Sequence, residues 1–479
     1  MPADTRPNIL LVLDSAPEEP GAPNLFNAWV ADLIRELRRY CRLSIFHPVI
    51  STIGPFYRMR RESKEGIDRF VTTVPYKYAS FSETFRNPAM EELFAAVIGE
   101  SDFDLCHIVS LRNHSFGYPL IAHGAGLPLA LTVADGWLRC PLRYRRGCAD
   151  GYSPRDHACD LRLSNFVASP FSFLATSIEE LFKPRRNHWW FEETGRYSFF
   201  YNRDPLEQVS REALRQRDAL LREMLPYVDR FHFLSEHLHR AWYGDLIPPD
   251  RVTVMAQGIP AARVIDSRPF EIHGGISFGF IGDLIPEEGV GELIEAFNAV
   301  RDRGLPTTLH LYGELYHNDD YARWLKKLCH SPAVTFHGAI DNSRIGAILD
   351  TIDALILPAR WPRPDTWLAA QAMARRKAVI AAEGTAAAEL VRKKRRGVVL
   401  KETTPADIEQ VVADLEIDRK KLYYFMRIAE SEQFLSITEN VQELLALYLA
   451  HMRRPVRAEE TTLTRRLGRK RVERLRGTA

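Results

Sequence analysis

The chain has 479 residues, of which 46% are hydrophobic and 26% charged, too long for one ordinary core and suited to two folded domains with additions. Its formal net charge is +2, so no whole-molecule field selects for nucleic acid, and no apolar run reaches the roughly 20 residues that cross a bilayer. The start, MPADTRPNILLVLDS, has no basic segment, apolar stretch and cleavage site in succession, and the six cysteines are sparse, so the expected setting is the cytoplasm.

In chain order, Ile9 to Asp14 is a short apolar run followed by a Pro- and Gly-containing loop. Leu25, Trp29, Leu33 and Leu37 then recur at helical spacing, and Leu43 to Phe46 is again strand-like. Strand, loop, helix and strand in that order open a parallel doubly wound sheet. Leu105 to Val109 and Leu129 to Val133 are further strands, and after Pro226 a strand, a helix and the strand RVTV follow. From Gly275 onward, strands and helices alternate strictly: ISFGFI, VGELIEAFNAVRDRG, TTLHLYG, YARWLKKLC, AVTFHG, SRIGAILDTI, ALILPA, WLAAQAMARR and KAVIAAEG.

These segments predict an α/β chain of two Rossmann-like domains, residues 1–260 and 261–425, with the linker around Gly258 to Gly275. A helical pattern from about Asp418 to Met452 closes the folded part, its C-terminal portion, 426–452, crossing back to the first domain. Two stretches stand outside the alternation. One is an aromatic insertion at about residues 140–225, carrying Trp189, Trp190 and Phe191 among others. The other is a basic tail, 453–479.

Several motifs sit at the strand ends. After the first strand of the second domain comes Gly282-Asp283-Leu284-Ile285-Pro286-Glu287-Glu288-Gly289. Further on, Pro358 follows a strand, and Arg363 and Gln371 stand eight positions apart before Ala372-Met373-Ala374. Glu389-Leu390-Val391 and Gly397 continue the series. In the first domain, Asp104 to Ile108 and Thr132-Val133-Ala134-Asp135-Gly136-Trp137, then Cys140-Pro141, form two more. In order and spacing these motifs resemble those of the family-4 retaining glycosyltransferases of the GT-B fold.

The resemblance implies two domains facing across a cleft, a nucleotide-sugar donor, and a carbohydrate or lipid-linked acceptor. It also implies roles for positions whose residues have changed. The family's arginine and lysine, which hold the donor diphosphate, are matched by Asp283 and Glu288. A carboxylate ~4 Å from a phosphate adds about 4 kcal/mol of repulsion at an effective dielectric near 20. The family's two glutamates, which serve the sugar and the ribose, are matched by Arg363 and Gln371. Its sugar-facing histidine is matched by Ala134, its N-terminal glycine loop by Gly21 and Ala22, and its asparagine before the hinge glycine by Gln257. Gly282, Gly289 and Glu389 keep family positions.

Acids thus stand where bases belong, and a base where an acid belongs. This predicts an ion pair across the cleft between Arg363 and Asp283 or Glu288. Two functions stay open. One is a retaining transferase with an altered donor site, with a divalent cation bridging carboxylate and phosphate as one route. The other is a non-catalytic relative that binds or scaffolds an active transferase.

Cys140, Cys148, His157 and Cys159 in one loop offer thiols and an imidazole of the kind that hold tetrahedral zinc, although the paired C-x-x-C spacing is absent; buried or free thiols are the other reading. Lys393 to Arg396 form a basic run near the second cleft wall. The tail is read as disordered or as a contact to anionic lipid at the inner membrane face.

Overall fold

The computed structural model describes residues 6–16, 25–141, 211–260, 272, 274–313, 320–361, 363–427 and 434–452. The expected tail, Gly21, and most of the aromatic insertion lie outside them, with Cys148, His157 and Cys159.

The first lobe is an eight-stranded sheet in the order β3-β4-β2-β1-β5-β6-β7-β8. Its strands are β1 (Asn8–Val12), β2 (Arg42–Ser51), β3 (Met59–Lys64), β4 (Ile67–Pro75), β5 (Leu105–Ile108), β6 (Leu129–Val133), β7 (Arg230–Phe233) and β8 (Val252–Val254). All pair in parallel except the hairpin strand β3. Helix α1 (Leu25–Leu37) follows β1, as its spacing predicts, and buries Trp29, Leu33 and Leu37. Helix α2 (Pro88–Gly99) was not expected. Asn87 caps it, its side chain accepting from Met90 N, and Pro88 sets the first turn. Short α3 (Tyr118–Gly124) precedes β6.

The second lobe is a six-stranded, all-parallel sheet in the order β11-β10-β9-β12-β13-β14. Its strands are β9 (Ser277–Ile281), β10 (Thr308–Tyr312), β11 (Val334–Gly338), β12 (Ala354–Leu357), β13 (Ala378–Ala382) and β14 (Gly397–Leu400). Strands β12 and β13 are buried along their whole length, the pattern of a sheet covered on both faces. In both sheets the chain reverses direction of travel beside the first strand, β1 or β9. The carboxyl ends of the strands there form the crevice in which open α/β sheets bind ligands.

Two expectations need correction. The insertion boundary of about 225 is too late, because α4 (Arg211–Met224) is an ordered helix of the first lobe. Arg217, buried on it, donates to the carbonyls of Trp137 and Leu138 and lies 4.9 Å from the Trp137 ring centroid. The continuous C-terminal helix is also wrong. Helix α11 (Arg419–Met426) ends where Arg427 turns extended, and α12 (Ile437–Met452) begins after a bridge between Ile259 and Ser436. That bridge pulls residues 435–437 into an extended hydrogen-bonded strip: Ile259 N donates to Leu435 O, and Ile437 N donates to Ile259 O. Helical periodicity alone does not reveal it. Helix α10 (Pro405–Ile417) precedes α11 and packs against α5 (Val290–Asp302), which α6 (Asp320–Leu328) and α7 (Ile345–Thr351) follow in the chain.

Helix α12 returns to the first lobe and packs on α1. One buried apolar cluster therefore runs through both lobes, joining Trp29 and Leu33 of α1, Trp367 and Leu368 of α8 (Trp367–Ala374), and Leu444 and Tyr448 of α12. Each fully buried large apolar side chain contributes about 1.5–3 kcal/mol, so this seam is a substantial part of the fold's stability.

Candidate functional site

Residues 282–289 leave the carboxyl end of β9, the central strand of the second sheet, as a loop with one 3-10 turn, Pro286–Glu288. Gly289 sits at φ 72°, and a Cβ there would stand 2.2 Å from Pro358 O. Only glycine lets this loop press against the loop after β12. That second loop carries Arg360, Trp361 and Arg363, so the strand order of the sheet brings the two altered motifs face to face.

Between them lies an ion pair, as the charge exchange in the sequence predicts. Arg363 Nη1 is 2.6 Å from Glu288 Oε2, with side chains 13% and 6% exposed. The partner is Glu288, and both loops belong to the second lobe, so the pair does not span the lobes. Two more polar atoms of the pair are also engaged. Trp361 Nε1 donates to Glu288 Oε1 at 3.1 Å, and Arg363 Nε donates to Asp365 Oδ2 at 2.7 Å. Arg363 O accepts from Ala386 N, tying the loop to α9 (Ala386–Lys394). Burial works against the guanidinium's charge, yet Asp365, Glu288 and Asp283 together hold its proton above the ordinary arginine range. Asp365 and Trp361 were not anticipated from the sequence. An arginine two residues before an aspartate is a visible signal for the first, whereas nothing local marks the second.

Gln371 lies on α8, 6% exposed, and its Nε2 has no hydrogen-bond partner among the described residues. Gln257, before the hinge, is likewise buried, and its Oε1 is unpartnered. Glu389 faces the other lobe: its Oε1 accepts from Arg240 Nη2 at 2.7 Å and is 3.5 Å from His237 Nδ1. Gly282 lies beside Arg363, where a Cβ would be 3.9 Å from Nη1. Ala134 is packed against the apolar seam. Two residues of the basic run are engaged elsewhere: Lys394 Nζ lies 4.9 Å over the Phe434 ring, and Arg396 is buried and donates to Phe425 O.

At the matching crevice of the first lobe, Asp14 follows β1. Its carboxylate accepts from Ser110 Oγ at 3.1 Å and from Ser15 Oγ at 3.3 Å. Burial raises its pKa, with Arg112 and the two serines opposing. Asp135 Oδ1 accepts from Trp137 N at 2.8 Å and so shapes its own loop.

Cys140, the one described member of the cysteine set, is buried; the zinc reading otherwise lies outside the described residues. Among the described residues no group of three or more His, Cys, Asp or Glu is placed to hold a metal ion. Among them, too, no helix is long and apolar enough to cross a membrane.

Comparison with known proteins places this geometry. Residues 275–418 match the family model of glycosyl transferases group 1. No curated protein sequence matches the chain significantly. Among solved structures, sucrose-phosphate synthase from Thermosynechococcus elongatus is similar at 14% identity and TM-score 0.57, over 93% of this chain and 97% of that one. Anabaena HepE, in complex with UDP and glucose, is similar at 14% identity and TM-score 0.58, over 93% and 100%. The UDP-forming alpha,alpha-trehalose-phosphate synthase from Burkholderia xenovorans, in complex with glucose-6-phosphate, is similar at 9% identity and TM-score 0.58, over 92% and 100%. At such identities these likenesses speak for the fold. The chain thus has the GT-B fold, two facing Rossmann-like lobes, and residues 275–418 of its second lobe are similar to glycosyl transferases group 1.

Proposed function

We propose that this protein serves glycan or glycoconjugate assembly as a non-catalytic relative of retaining family-4 glycosyltransferases, binding a carbohydrate or lipid-linked glycan and supporting an active transferase. The observation that carries the reading is the Glu288–Arg363 pair. A donor diphosphate needs cations and free N–H groups facing it. Here a buried carboxylate occupies the family's lysine position, and the neighbouring cation is already committed to Glu288 and Asp365. A nucleotide entering that position would have to displace an internal ion pair and then face its carboxylate. The cytoplasm, with peripheral contact at the inner membrane face through the basic tail, is the setting this reading implies.

Gln371 favours a second reading, an active transferase with an altered donor site. Its buried, unpartnered Nε2 is a donor that a sugar or ribose hydroxyl would satisfy. Calorimetry of the full chain with UDP, GDP, ADP and their glucose and mannose conjugates, with and without magnesium or manganese, separates the two. The proposal expects no heat of binding across the set. Saturable binding, followed by release of nucleoside diphosphate from the sugar conjugate, overturns it.

A further inference from the structure

Two contacts of different chemistry join the lobes, and a third fixes the hinge strand on the first-lobe side. The first is an apolar wedge. Ile285 of the glycine loop, 1% exposed, and Trp361 of the facing loop pack into a cluster otherwise drawn from the first lobe, with Phe116, Trp137 and Leu138 among its members. The loops that carry the ion pair are therefore embedded in the opposite lobe, and the Trp361–Glu288 hydrogen bond keys the wedge to the pair. The second is the charged contact of Glu389 with Arg240 and His237. The third is a pin at the hinge. Asn440 of α12, 1% exposed, accepts through Oδ1 from Trp29 Nε1 at 3.0 Å and from Gly258 N at 3.1 Å, and its Nδ2 donates to Ala256 O at 3.1 Å. A Cβ on Gly258 would stand 2.6 Å from Asn440 Cβ, so the hinge strand lies against the helix with no slack.

We infer that the two lobes are locked shut over the donor-side loops, so that the protein is one rigid body rather than a pair of lobes that open and close around a ligand. Opening would expose Ile285 and Trp361 to water and part the Glu389 contact. The inference deepens the non-catalytic reading, because a cleft that does not open neither admits a donor nor releases a product. Its test measures motion, whereas the test of that reading measures binding.

Small-angle X-ray scattering and amide hydrogen exchange on the full chain decide it. The expected wild-type result is a scattering curve that does not change with UDP-glucose or GDP-mannose, with slow exchange at the amides of Gly258, Ile259 and Ile437. Trp361→Ala combined with Glu389→Ala is expected to enlarge the radius of gyration and speed exchange at the lobe interface while keeping the far-ultraviolet circular dichroism of the folded chain. Where that variant does not fold, Arg240→Glu is expected to speed interface exchange, and Arg240→Glu with Glu389→Arg to restore it. A wild-type curve that shifts with nucleotide, or that needs a mixture of open and closed forms, overturns the inference. So does exchange at the interface that neither variant alters.

Discussion

At the scale of single residues, the balance between charge and burial decides the candidate site. A carboxylate and a guanidinium removed from water together cost desolvation that their attraction only partly offsets, but either one alone is worse. Arg363→Ala is therefore expected to lower the unfolding free energy by about 3–5 kcal/mol, read from urea titration, because Glu288 would stay buried with only the Trp361 N–H as donor. Replacing both with apolar residues, Glu288→Leu with Arg363→Met, is expected to cost far less than the single change, within about 1 kcal/mol of wild type. Equal losses in the two variants would show that the pair is not coupled. The pairing was legible in the sequence because one strand-end loop carries Asp283 and Glu288 and the other carries Arg363. Trp361 was not, since the fit of one loop against the other chooses it, whereas Asp365 is a local partner two residues from Arg363.

At the scale of elements, a sequence pattern is read correctly where one physical requirement dominates. Strands β12 and β13 are continuous apolar runs, and α1 repeats its large apolar residues every fourth position, so both were expected where they occur. The hairpin strand β3, MRRESK, is exposed at a sheet edge and held by backbone pairing to β4, so its side chains carry no apolar alternation to read. Helix α12 begins later than expected because the Ile259–Ser436 bridge competes for the backbone of its first turn. The glycine loop makes the requirement at Gly289 explicit. Gly289→Ala is expected to destabilise by at least ~2 kcal/mol, through a positive φ and contact with Pro358 O, and a thermal melt checks it. An unshifted melting temperature would mean that the two loops do not meet as described.

At the scale of the molecule, a chain of buried hydrogen bonds ties the C-terminal helix to the first sheet. His232 Nε2 faces Met255 O at 3.0 Å, a carbonyl that can only accept, so that nitrogen carries the proton. His232 Nδ1 then accepts from Thr132 Oγ at 3.0 Å, and Thr132 Oγ accepts from His107 Nε2 at 2.7 Å. His107 Nδ1 in turn accepts from the Tyr448 hydroxyl at 2.6 Å. One carbonyl thus orders every proton along the line, and both rings must stay neutral. Burial lowers the pKa of His107 to about 3 and that of His232 to about 4, from 6.5. Between those values and 6.5 the unfolded chain binds more protons than the folded one. The stability these groups contribute is therefore complete above about pH 6.5 and is lost progressively as pH falls toward about 3, on the order of 3 kcal/mol for one such histidine. Urea titrations between pH 7 and pH 4 are expected to show this decline, and Thr132→Val with His107→Leu and His232→Leu to reduce it, leaving the share of His114, whose pKa burial also lowers to about 4. Tyr448→Phe leaves His107 Nδ1 buried without a donor and is expected to cost about 1–3 kcal/mol by the same measurement.

The sequence by itself determined the class of fold and the charges carried by the loops after β9 and β12. Apolar periodicity reports which faces are buried, and charge identity is written in each residue. It also foretold that Arg363 would find an acid. Only the tertiary structure decided that the acid is Glu288, that Trp361 completes its hydrogen bonding, and that Glu389 reaches Arg240 on the other lobe. It alone placed Asn440 against the hinge, 182 residues along the chain from Gly258. Contacts between residues so distant in the chain depend on how two sheets and a returning helix pack, and no local spacing records that geometry.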